Sequence, residues 1–240
     1  MMYRELYLSM YYKMNFDIDE KEVLRYLNSD ENLDNERIMA LIDQARKELN
    51  DIINFRYTYQ KFPLEFNKNS IKLMATTLKL KGEAIYNHLK KSKEAYLMAA
   101  TLGTEVDKKI SLYDKLSISK SMVFDACATT AIEEGCDYIE NEIKKEVLME
   151  DKDITHRFSP GYGDLNINIQ KEFLEVLKAP KKIGLTASKY NVLIPTKSVT
   201  AVIGVINEKN AYYEEENCQN CRLYDDCELR RKGIYCGAKR

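Results

Sequence analysis

The chain has 240 residues, 45% of them hydrophobic and 31% charged, with a formal net charge of −1. That is enough for one large domain or two small ones with a real core, and the balance of charge gives no electrostatic reason to name nucleic acid or an anionic membrane as partner. With only two histidines, His88 and His156, a multi-histidine metal centre is excluded. No apolar run approaches the roughly 20 residues of a spanning helix. The opening MMYRELYLSMYYKMN is broken by Arg4 and Glu5 before any signal-peptide core can form, so the expected setting is the cytoplasm, where thiols stay reduced.

In chain order, a short strand is expected near Tyr7 to Tyr12, then a helix opening at Asp19 and holding Val23, Leu24 and Leu27. Asp34 to Ile53 reads as a long amphipathic helix with Ile38, Leu41, Ile42, Ala45 and Leu49 on one face. The alternating segments YTYQKFPLEF and SIKLMATTLKL suit strands. GEAIYNHLKKS suits a helix, and EAYLMAATLG a buried strand ending at Gly103. Thr104 with Asp107 three residues on resembles a capping box opening the next helix. Ser119 to Leu148 reads as a second long helix, and a further helix near Ile169 to Leu177 is expected to stop at Pro180. IGLTASKYNVLIPTKSVTAVIGVI is strand-rich. From Glu214 the chain turns charged and carries four of its six cysteines. The expected architecture is one mixed α/β domain of the α+β type, residues 1–213, with a small Cys-rich appendage, residues 214–240.

Two stretches depart from this ordinary pattern. On the second long helix, Ile118, Met122, Asp125, Thr129, Ile132, Cys136, Ile139 and Ile143 follow steps of four and three and form one stripe. Asp125 and Thr129 do not suit a core, and Glu133 lies one turn further along. The run ACATTA, Ala126 to Ala131, has only small side chains, so another backbone or a ligand can come close. Two readings stand: a tightly packed helix with Asp125 held by a neighbouring loop, or a polar patch at a ligand or partner surface. Cys127 and Cys136 on the same helix suit a core. The second stretch, HRFSPGYGDL, places one of four prolines and two of nine glycines within four positions. Pro160 fixes its own φ, and Gly161 and Gly163 admit backbone conformations closed to other residues. Tyr162 stands between them, and Arg157 offers a planar fork for a carboxylate. A turn accounts for the composition. So does a loop that lays its backbone against a small amphoteric ligand.

Five segments, in this order, resemble the activation domain of cobalamin-dependent methionine synthase, most closely its free-standing versions. They are LKGEAIYNHL (Leu80 to Leu89), AATLGTEVD (Ala99 to Asp107), DACATTAIEE (Asp125 to Glu134), RFSPGYGDL (Arg157 to Leu165) and IPTKSVTAVIGV (Ile194 to Val205). The resemblance implies a single domain with a twisted, mainly antiparallel sheet flanked by helices. It implies binding of S-adenosylmethionine, which that family presents to an inactive cob(II)alamin so that one electron and the methyl group restore methylcobalamin. By the same resemblance Arg157 holds the methionine carboxylate, and Ser159, Pro160, Gly161, Tyr162 and Gly163 form the binding loop. Ile203 and Gly204 fall on a later strand that touches the ligand, and Glu133 matches an acidic helix position. No covalent intermediate on the chain is implied; the work is orientation of a methyl donor.

No D-x-H-x-x-G segment is present to carry a cobalamin. The corrinoid is therefore expected on a partner, methionine synthase or another corrinoid protein, with a flavodoxin or ferredoxin as electron donor. Cys218, Cys221, Cys227 and Cys236 form C-x2-C-x5-C-x8-C. Four thiolates so close together suit zinc or an iron–sulfur cluster, while unligated or oxidised thiols are the plain alternative. The spacing fits neither a standard zinc ribbon nor a standard ferredoxin run, and the electron needed by the implied reaction favours the cluster. Three functional readings follow: a reactivation protein for methionine synthase, an activator of another corrinoid methyltransferase, and a metal-binding or electron-delivery module.

Overall fold

The structure, a computed structural model, describes residues 14–27 and 36–207. The strand expected near Tyr7 to Tyr12, the helix start at Asp34 and the whole cysteine-bearing tail lie outside those residues. The elements run α1 (Glu20–Tyr26), α2 (Glu36–Ile52), β1 (Arg56–Asn67), β2 (Ser70–Leu73), β3 (Lys79–Leu80), α3 (Glu83–Leu89), β4 (Ser92–Thr101), α4 (Thr104–Leu116), α5 (Ile118–Leu148) and β5 (Asp153–Ile154). A short 3-10 turn (Ile167–Ile169) follows, then α6 (Gln170–Val176), α7 (Ala179–Ile183), β6 (Thr186–Ala187), β7 (Leu193–Ile194) and β8 (Ser198–Ile206).

Six strands form one sheet in the order β3-β2-β1-β4-β8-β5, every pairing antiparallel. β4 lies near the middle, and both of its faces are covered. Tyr96, Met98 and Ala100 face the layer built by α1, α2, α4 and α5, while Ala95, Leu97 and Ala99 face α3, α6 and α7. Burial on both sides is why EAYLMAAT is an unbroken apolar run rather than an alternating one. This is the mixed, helix-flanked antiparallel domain expected from the sequence.

Local details differ from the sequence reading where tertiary contacts intervene. Asp19 caps α1 as expected, accepting from Lys21 N at 2.7 Å. Thr104 does not cap α4. The cap position is Gly103, with φ +93°, where a Cβ would sit 3.2 Å from Asn54 Cβ. Asp107, the other half of the expected box, is turned across to the β7–β8 connection. Pro180 does not stop α6: Lys178, in the left-handed region, ends it, and Pro180 lies in the first turn of α7, where its missing N–H costs nothing.

The α5 stripe is buried only from Ile132 onward. Ile118 and Met122 are 74% and 56% exposed, because the first turns of α5 bury a different face, the one carrying Ser121, Phe124 and Ala128. Asp125 is therefore half-exposed and needs no buried partner, though it has one in Lys197 at 2.8 Å. Cys127 and Cys136 are buried free thiols, as expected. Burial pushes the Cys127 thiol up to about 12 and Cys136 higher still, so neither supplies thiolate at neutral pH. Alkylation of the native chain at pH 8, mapped by peptide mass, is expected to leave both unlabelled until denaturant is added.

Candidate functional site

The site lies where the edge of the sheet opens. β5 pairs with the end of β8, and the pairing continues past its last residue. Thr155 N donates to Gly204 O at 2.9 Å, Gly204 N donates to Thr155 Oγ1 at 2.8 Å, and Phe158 and Val202 exchange two backbone bonds of 2.9 Å. Gly204, Val202 and Thr200 are the residues whose backbone groups face this edge, because direction alternates along an antiparallel strand. By Thr200 the neighbouring chain has turned away at Ser159. The gap becomes a cleft of about 910 Å³.

One side of the cleft is charged. Arg157, with its side chain 10% exposed, donates to Glu133 at 2.9 Å, Asp137 at 2.7 Å and Glu140 at 3.1 Å, all on α5. Burial works against the guanidinium charge, but Cys136, Glu140, Asp137 and Glu133 outweigh it and hold the pKa above its ordinary value. Lys144, one turn beyond Glu140, pairs with Asp153 at 3.4 Å and lines the same end. The opposite side is uncharged and of mixed polarity, with Ile167, Val192, Leu193 and Val199 beside Gln170, Asn191, Thr196, Ser198 and Thr200.

The RFSPGYGDL loop closes on itself. Tyr162 N donates to Ser159 O at 3.0 Å, Gly161 N to Leu165 O at 2.8 Å and Leu165 N to Tyr162 O at 3.0 Å. Ser159, Pro160 and Tyr162 line the cleft, and Tyr162 is 62% exposed. Gly161 and Gly163 do not line it. Both have positive φ and shape the turn, and a Cβ on Gly163 would meet Ala84 Cβ at 2.8 Å. Asp164 then anchors the loop to α3, accepting from Glu83 N at 2.6 Å and Ala84 N at 3.0 Å. Gly161 and Gly163 thus shape the loop, and of its residues from Ser159 to Gly163 the cleft is lined by Ser159, Pro160 and Tyr162.

The five segments picked out in the sequence converge here. Asp107 accepts from Thr196 N at 2.6 Å and Thr196 Oγ1 at 2.8 Å, which fixes the turn after the cis Ile194–Pro195 bond. Lys197 Nζ reaches Asp125 at 2.8 Å and Thr129 Oγ1 at 2.9 Å. Glu133 meets Arg157, and Asp164 meets α3. Asp125 and Thr129 are accordingly partners of the β7–β8 turn. Two expected residues are elsewhere: Ile203 is fully buried against the α5 layer, and Gly204 is buried against Ser92, Leu89 and Thr155. The part of β8 that does line the cleft is Ser198 to Thr200. Sequence reasoning missed Glu140, Lys144, Gln170 and Thr200. The i, i+4, i+7 spacing of Glu133, Asp137 and Glu140 on a helix was a legible signal for the acidic face; Gln170 and Thr200 carried none.

No family model matches the sequence, and no curated relative matches it. Among solved structures, the crystal structure of the MetH reactivation domain bound to AdoHcy is similar, with a TM-score of 0.58 and 16% identity, over 88% of this chain and 76% of that one. The chain has the fold of the methionine synthase reactivation domain. In this chain β5 pairs with β8 only at Val205 and Ile206, and the cleft forms along β8 at Ser198 to Thr200. Among the described residues, no helix is long and apolar enough to cross a membrane, and no group of three or more His, Cys, Asp or Glu side chains is arranged to hold a metal.

Proposed function

We propose that this chain binds S-adenosylmethionine in the edge cleft and supports reductive methylation of cob(II)alamin on a separate cobalamin-dependent methionine synthase. The observation that carries the reading is the cleft itself, lined by the Arg157-to-Tyr162 motif on a reactivation-domain fold. Its charged side suits an amino-acid group, and its uncharged side suits a flat base. Arg157 would take the ligand carboxylate. Glu133 and Asp137 on that guanidinium are about half exposed, so a carboxylate can replace one of them with water on hand to solvate it. Ser159, Pro160 and Tyr162 would form the loop wall, with Gly161 and Gly163 holding its shape.

The partner's cobalamin would receive the methyl group and one electron, the latter from a flavodoxin or ferredoxin, and S-adenosylhomocysteine would remain. This chain's contribution is then orientation, with no covalent step of its own. A cytoplasmic setting and a division into a reactivation-like unit over 1–213 and a tail over 214–240 go with this reading. The closeness of Cys218, Cys221, Cys227 and Cys236 in that tail supports a metal or iron–sulfur site, the cluster being favoured because the reaction consumes an electron.

Reconstitution tests the reading. The chain, S-adenosylmethionine, a reduced electron donor and methionine synthase in the cob(II)alamin state are expected to yield the methylcobalamin absorbance spectrum. Omitting the chain should leave the cob(II)alamin spectrum unchanged. The same spectrum with and without the chain counts against the proposal.

A further inference from the structure

Gln170 is 3% exposed and sits at the first position of α6, in the wall of the cleft. Its Nε2 donates to Thr200 Oγ1 at 2.7 Å, and its Oε1 has no hydrogen-bond partner. Turning the amide over does not cure this, because Thr200 supplies a single hydroxyl and one polar end of the carboxamide still lacks a partner. A buried polar atom left so costs free energy, and such groups call for an explanation, a bound ligand being one. Around it the wall carries Ile167, Val192 and Val199 beside the polar Asn191 and Ser198. A flat heteroaromatic ring bearing a hydrogen-bond donor on its edge fits that combination. Arg157 and Glu140 occupy the other side of the cleft, where the charged end of an amphoteric ligand belongs.

We infer that Gln170 is a specificity-determining residue whose Oε1 accepts a hydrogen bond from the exocyclic amine of an adenine ring. The inference rests on the proposed binding of an S-adenosyl ligand in this cleft. An aromatic amine donates and does not accept, so it selects the orientation in which Nε2 stays on Thr200 and Oε1 faces the ring. Thr200 holds the carboxamide from behind and acts as a positioning residue.

A cycle that removes the donor from the ligand and the acceptor from the protein isolates this contact. Calorimetric titrations would use S-adenosylhomocysteine and its analogue with hydrogen in place of the 6-amino group, against the full chain, Gln170→Met and Gln170→Glu. The native chain is expected to bind the analogue about tenfold more weakly, as loss of one buried hydrogen bond implies. Gln170→Met should bind the two ligands alike, and Gln170→Glu, which keeps the acceptor and the shape, should retain the preference. If the native chain binds both ligands equally, or Gln170→Met keeps the tenfold difference, the inference is overturned. Because the native comparison needs no substitution, equal binding there overturns the inference even where Gln170→Met fails to fold. Absence of binding by either ligand to the native chain is a different result, and it removes the proposed function together with this inference.

Discussion

Arg157→Ala is expected to lower stability by about 2–3 kcal/mol and the melting temperature by about 4–12 °C. Removing one partner of a buried ion pair commonly costs more. Here Glu133 and Asp137 are about half exposed and recover water, which reduces the penalty. Glu140 is the acid that suffers most, since its side chain is only 16% exposed. The same substitution is expected to weaken S-adenosylmethionine binding roughly 10- to 100-fold, the range for a hydrogen bond to a charged group. Differential scanning calorimetry and titration separate the two effects when Arg157→Lys is measured alongside. Lysine keeps the charge that the three carboxylates need but loses the two-point fork. It should restore most of the melting temperature and little of the affinity. If Arg157→Lys restores the affinity in full, the two-point reading of this residue is wrong.

Gly204→Val should destabilise the fold by about 3 kcal/mol through overpacking, with a fall of about 6–12 °C in melting temperature. A Cβ at Gly204 would lie 2.4 Å from Ser92 Oγ, 2.8 Å from Leu89 Cδ2 and 3.1 Å from Thr155 Cγ2. Those three neighbours come from β4, α3 and the segment after β5, and all are covered. Each is a packed side chain, so making room means turning it into neighbours that already fill the space. The ligand affinity of the folded variant is expected to stay unchanged, because Gly204 stands outside the cleft. Full stability with weakened binding would instead return Gly204 to the ligand site that the sequence resemblance implied.

The division of labour between sequence and structure is plain at α5. Its length and the burial of Ile132, Cys136, Ile139 and Ile143 follow from a local period of 3.6 residues. The same period places Ile118 and Met122 on the apolar stripe, and both are exposed. Periodicity reports which side chains share a face; it does not report which face the neighbouring elements cover, and in the first turns they cover Ser121, Phe124 and Ala128 instead. The polar patch at Asp125 and Thr129 was visible as an anomaly, and its cause, Lys197, lies too far along the chain to be read from spacing.

The RFSPGYGDL loop divides in the same way. Arg157, Pro160 and Tyr162 were legible because rare residue types clustered in a short span. The roles of Gly161 and Gly163 were not, because a turn and a ligand contact demand the same backbone freedom. Ala84, lying against Gly163, decided in favour of packing. Gln170 and Thr200 are ordinary residues in ordinary local settings, and nothing in their neighbours along the chain marks them.

By itself the sequence determined the secondary structure of the central elements, the doubly covered strand β4 and the chemistry available to the RFSPGYGDL loop. Local sterics, side-chain period and residue type suffice for each of these. Only the tertiary structure decided that three acids of α5 enclose Arg157, that β8 presents Ser198 to Thr200 rather than Ile203 and Gly204 to the cleft, and that Gln170 holds an unmatched acceptor there. These depend on which element stops short and which continues at the edge of the sheet. Such endings are set by long-range packing, and they leave no local pattern in the residues themselves.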